Sequence, residues 1–141
     1  MHAGMARFRI ELPEGWQCVA REPVVTWQNV ARRGALQASA LDVPPHVRAV
    51  DGSVAFELLM TLASGTGWTM PRDVGTFEGA EQRLFWGKFS GPFPDLRMWV
   101  ACEGVRAIVV TWVGEDGSGG DEAERAVKHY LGAGAYRVDL T

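Results

Sequence analysis

Cysteine is scarce in this sequence. Cys18 and Cys102 are the two present, in widely separated segments, with no Cys-x-x-Cys pair and no histidine at ligand spacing beside either. Two such residues are expected to pack as reduced, small apolar side chains. Net charge is also small: 14 Lys plus Arg against 17 Asp plus Glu give −3, which supplies no drive toward nucleic acid or anionic lipid. No apolar run is long enough to span a membrane. The segment Met1-His2-Ala3-Gly4-Met5-Ala6-Arg7 lacks the basic start and apolar stretch of a secretory signal, so the expected location is the cytoplasm.

The usual signatures of chemistry are missing as well. There is no His-Glu-x-x-His, no Gly-x-Ser-x-Gly, and no phosphate loop ending in Gly-Lys-Ser/Thr. Gly65-Thr66-Gly67 begins a dinucleotide fingerprint, but Met70 stands where the third glycine is needed and the segment follows a helix, so it reads as a helix stop. Glu115 to Glu122 has the flavour of a calcium loop, yet Asp121 occupies the glycine position and no helix precedes it. It reads as a solvated loop whose acids favour the start of the next helix. His2, His46 and His129 fall in the terminus, in a proline-bearing loop and off a helix's apolar stripe, which makes them surface side chains. No catalytic, cofactor-binding or metal-ligating residue is assigned, and no cofactor is implied.

What is present is the composition of a folded chain, 47% hydrophobic and 22% charged over 141 residues, the size of one domain covering 1–141. Phe8, Ile10 and Leu12 alternate with charged residues at the period of a strand, which Pro13-Glu14-Gly15 ends. Val24 to Val30 and Ala35 to Leu41 form a hairpin about Ala31-Arg32-Arg33-Gly34. Pro44-Pro45 forbids a paired ladder in the following crossover. Val54, Leu58, Leu59 and Leu62 recur at helical spacing, predicting a helix over 52–65. Ala123, Ala126, Val127, Tyr130 and Leu131 predict a second over 121–131, with Asp121 and Glu124 as an acidic capping box. Between them Glu81 to Phe89, Leu96 to Cys102 and Val105 to Val113 read as an antiparallel meander, and Tyr136, Val138 and Leu140 as a last edge strand.

This order gives an α+β domain with helices packed on a mainly antiparallel sheet. Phe8-Arg9-Ile10-Glu11-Leu12-Pro13-Glu14-Gly15-Trp16 resembles the opening strand and Leu-Pro-x-Gly-Trp of the Mog1/PsbP-like superfamily. Gly34-Ala35-Leu36-Gln37-Ala38-Ser39 resembles the Gly-x-Leu-x-x-Ser strand that follows in small bacterial members. The resemblance implies an α/β/α sandwich, and a family of photosystem accessory proteins, a Ran-binding protein, lipoproteins and secretion-associated chaperones that mostly bind partners. It carries no site residues onto this chain.

Six tryptophans stand against two tyrosines. With Glu103-Gly104 as the turn, Cys102 pairs with Val105, Trp99 faces Ile108 and Arg97 faces Val110. Phe89 opposite Leu96 then sets Trp86 opposite Trp99. One face of the meander becomes almost wholly apolar. The other carries Trp86, Arg97, Trp99, Arg106 and Trp112, a candidate partner-binding patch of stacked aromatics and cations. The competing reading is a second core layer beneath a helix, and the exposure of Trp99 separates the two. Trp16 is expected to plug the sheet end. The functional expectation is a non-catalytic module binding another protein, in an accessory, chaperone or immunity-type bacterial role, with neither nucleic acid nor membrane as partner. A carrier of a small apolar ligand held between sheet and helix, and an enzyme of unrecognised class, are the alternatives.

Overall fold

The computed structural model describes residues 6–10, 12, 15–20, 24–29, 33–42, 52–69, 71–79, 83–103, 106–117, 119–131 and 136–140. Chain order is β1 (Ala6–Ile10), β2 (Trp16–Ala20), β3 (Val25–Asn29), β4 (Gly34–Asp42), α1 (Gly52–Gly65), β5 (Pro71–Glu78), β6 (Arg83–Phe89), β7 (Asp95–Glu103), β8 (Arg106–Gly114), α2 (Gly120–Tyr130) and β9 (Tyr136–Leu140). Seven strands form one sheet in the order β2-β3-β4-β8-β7-β6-β5, while β1 and β9 pair separately. All these pairings are antiparallel. The sheet therefore consists of two meanders joined along β4 and β8, with α1 carrying the chain from one to the other.

Two strands were not expected from the sequence. In β2, Trp16 and Cys18 stand opposite Asn29 and Trp27, so a further strand begins at Trp16, after the expected end of the first. The edge strand β5 reads Pro-Arg-Asp-Val-Gly-Thr-Phe-Glu and has no apolar alternation. It exists through its ladder to β6, in which Gly75 faces Trp86. A Cβ on Gly75 would stand 2.6 Å from the Trp86 ring, so the glycine gives the indole a place to lie across the strand.

The β7–β8 register also differs from expectation. Trp99 pairs with Val110, Arg97 with Trp112, and Glu103 with Arg106. The pairing has slid by two residues, and because strand side chains alternate with a period of two, every residue keeps its predicted face. Phe89–Leu96 and Trp86–Trp99 pair as expected.

The helices lie on opposite faces. Leu59 and Ala63 of α1 pack with Phe85, Phe89, Leu96, Met98, Val100 and Val109. Gly87 lets α1 approach the sheet, since a Cβ there would sit 3.0 Å from a Leu59 methyl. The helix ends where the sequence stops it. Gly67 takes φ +83, with Gly67 N–H donating to Ser64 O and Trp68 N–H to Ala63 O, a Schellman closure that tucks Trp68 against Phe89 at 5.6 Å. On the other face Ala123 and Val127 of α2, with Leu131 at its C-cap, cover Trp27, Leu36, Leu84, Trp99, Ile108, Val110 and Trp112. The result is an α/β/α sandwich.

Candidate functional site

Register brings all five candidate residues to one face. Trp86, Trp99, Val110, Ala38 and Val25 form one row across the sheet; Lys88, Arg97, Trp112, Leu36 and Trp27 form the next. Arg106 lies on the same face by register, and its side chain is outside the described residues. This face is covered by α2: Trp99 is 1% exposed, Trp112 0% and Arg97 9%. The expected patch is corrected to a second core layer. Large aromatics bury their area there more favourably than they could in water, and of the tryptophans in the set only Trp86 keeps partial exposure. Trp16, at the start of the edge strand β2, packs on this layer and meets Trp112 edge-on at 5.8 Å.

The expected stacking of arginine on tryptophan is replaced by ion pairing. Arg97 Nε donates to Asp95 Oδ1 at 2.8 Å, and Nη1 and Nη2 donate to Asp121 Oδ1 at 3.3 Å. Glu124 Oε1 lies 3.6 Å from Nη1. Burial works against the charge of Arg97, but the hydrogen bond and charge of Asp95, then the charge of Glu124 and the bond to Asp121, outweigh it and hold the guanidinium above its ordinary range. The start of α2 lies beside this network. The helix begins at Gly120 with Gly119, a residue without a side chain, as its cap, so Asp121 and Glu124, expected as a capping box, fall inside the helix and pair with the buried cation. Gly120 is required there, since a Cβ would collide with Asp95 Oδ2 and the Arg97 guanidinium.

Lys88, directly opposite Arg97, holds its ammonium 6.0 Å from the Trp86 ring centroid. Beside this pair opens a cleft of about 430 Å³ lined by Arg72, Asp73, Lys88, Asp95, Arg97 and Gly117. Its chemistry is that of charge pairing. Among the described residues no three His, Cys, Asp or Glu side chains converge to hold a metal ion. His129 is on the exposed side of α2, whereas His2 and His46 lie outside the described residues. Cys18 is a free thiol packed against the core layer under α2, and the side chain of Cys102 lies outside the described residues.

A second cleft, about 250 Å³, opens at the end of the sheet between Gln28, Arg33, Ala35, Phe93, Val113 and Glu115. Phe93 is 42% exposed, the one aromatic ring among the described residues that belongs to neither core. The sequence reading missed it, although its signal was present: an aromatic set between Pro92 and Pro94 in a loop belonging to neither apolar pattern. Arg33 Nε and Glu115 Oε2 form an exposed ion pair at 3.2 Å on the rim.

No family model matches the chain, and no curated protein matches it in sequence. The antiparallel sheet held between two helices is a PsbP-like fold. Among solved structures the chain is similar to the solution structure of cyanobacterial PsbP (CyanoP) from Synechocystis sp. PCC 6803, with a TM-score of 0.57 and 11% identity over 96% of this chain and 95% of that one. At that identity the likeness is one of fold.

Proposed function

We propose that the protein is a non-catalytic interaction module that binds another protein at the sheet end marked by Phe93, in an accessory, chaperone or immunity-type role. The observation that carries this reading is the exposure of Phe93, 42%, in a molecule that buries Trp99 and Trp112 almost completely. Flanking prolines restrict the backbone on either side of the ring, so little conformational freedom is lost when it docks. A small apolar floor from Ala35 and Val113, edged by the Arg33–Glu115 pair, matches an aromatic anchor with a polar rim. Both clefts are open and edged with charge, which favours a protein surface over an enclosed apolar ligand. The test uses wild type and Phe93→Ala as parallel baits, with captured proteins quantified by mass spectrometry. A specific partner should lose about 2 kcal/mol, roughly thirtyfold in affinity, while the unfolding midpoint stays unchanged. The proposal is overturned if wild type retains no protein that the variant loses.

A further inference from the structure

The seven-stranded sheet ends at β2 and at β5. An edge strand presents unpaired backbone N–H and C=O groups, and proteins blunt such edges with proline, lysine or a bulge. Both edges carry a bulge, but at different places. In β2 it falls between Cys18 and Ala20 of a five-residue strand, whereas in β5 it lies at the start, beside Pro71. From Asp73 to Glu78 the ladder to β6 is regular and the strand has neither proline nor lysine. Arg72, Asp73, Val74, Thr76 and Glu78 are all exposed, Val74 by 42%. We propose that β5 is a dimerisation edge, on which the β5 strand of a second copy of this chain pairs antiparallel about a two-fold axis at Gly75 and continues one sheet into the next.

The register follows from the faces and the charges. Residues directly opposite in a ladder share a face, so a symmetric pair must centre on a residue and not between two. Centred on Gly75, Arg72 stands opposite the partner's Glu78, Asp73 opposite the partner's Phe77, and Val74 opposite the partner's Thr76. Opposite charges then meet at both ends, and the exposed valine meets a β-branched side chain. Asp73 also approaches the partner's Lys128, whose ammonium lies 4.9 Å from the Phe77 ring centroid. Glu78 accepts from Arg83 in its own chain, and a carboxylate takes more than one donor. The neighbouring centres fit less well: about Val74, Arg72 faces Thr76, and about Thr76, Val74 faces Glu78, with no charge pair in either. Pairing β5 with β2 would be heterologous and would propagate into an open chain of copies, whereas β5 with β5 closes at two.

Sedimentation velocity on the full chain, over about 1 to 100 μM, provides the test. Wild type should pass from monomer to dimer as concentration rises. Arg72→Glu and Glu78→Arg each set like charges opposite one another at both ends, and each should weaken the dimer about tenfold. An equimolar mixture of the two variants restores opposite charges at both ends and should regain the wild-type association. Val74→Lys, which places a lysine on the edge, should also be monomeric over this range. Circular dichroism spectra matching wild type establish that the variants fold; if a charge variant does not, Val74→Lys decides against wild type alone. A wild type that stays monomeric, a dimer that the folded variants leave intact, or a mixture that associates no more tightly than its components overturns the proposal.

Discussion

The benzo ring of Trp112 lies on the backbone of Gly34: a Cβ at that glycine would stand 2.5 Å from Cζ2 and 2.6 Å from Cη2. Gly34 pairs with Gly114 across β4 and β8, and Trp112 with Leu36. Two facing glycines thus clear a trough beside the indole, which is why a side chain this large reaches complete burial within the sheet layer. Overpacking is the expected result of a methyl group here. Gly34→Ala should cost about 1 to 3 kcal/mol, and distinctly less in a Trp112→Phe background, where the indole's benzo ring is gone. Urea midpoints of the four proteins check this; additivity within about 0.5 kcal/mol would contradict the contact.

Trp99→Ala should cost roughly 3 to 5 kcal/mol of folding stability, because Trp99 belongs to the layer under α2. Its fluorescence in the wild type, isolated by difference from a Trp99→Phe variant, should resist iodide. Ready quenching would mean that α2 does not cover it.

Leu59 is the fully buried anchor of α1, at 0% exposure. Leu59→Ala should cost about 2 to 5 kcal/mol through lost transfer energy and a residual cavity. The exposed Met60 beside it supplies the control: Met60→Ala should shift the midpoint by no more than about 0.5 kcal/mol. Equal effects would misplace the helix by one residue.

Arg97→Met removes the partner of a nearly buried carboxylate at Asp95 and should destabilise by about 3 to 5 kcal/mol. Asp121, whose side chain is 85% exposed, contributes little, so Asp121→Ala should cost under about 1 kcal/mol. The sign of the pH dependence follows from the raised pKa of Arg97. A cation held above its ordinary value stabilises fully below that value and loses the effect only at higher pH. The gap between wild type and Arg97→Met should therefore not close between pH 7 and pH 10, as measured by denaturant titrations across that range.

The sequence by itself determined every element whose signal is local. The stripes around Leu59 and Val127 defined both helices, because a 3.6-residue period with a glycine stop is encoded within a few turns. Alternation along β6, β7 and β8 sorted residues to the correct faces even where the register was off by two, since face depends only on parity. Tertiary structure decided the rest. Whether the tryptophan face was surface or core depended on where α2 landed, and α2 is positioned partly by Arg97, a cation the sequence pattern assigned to a partner. The strand β5 carries no apolar period and is recruited by the ladder to β6 and by the indole over Gly75. Phe93 is exposed in the short loop between β6 and β7, a property of how the layers end in space that no window of residues contains.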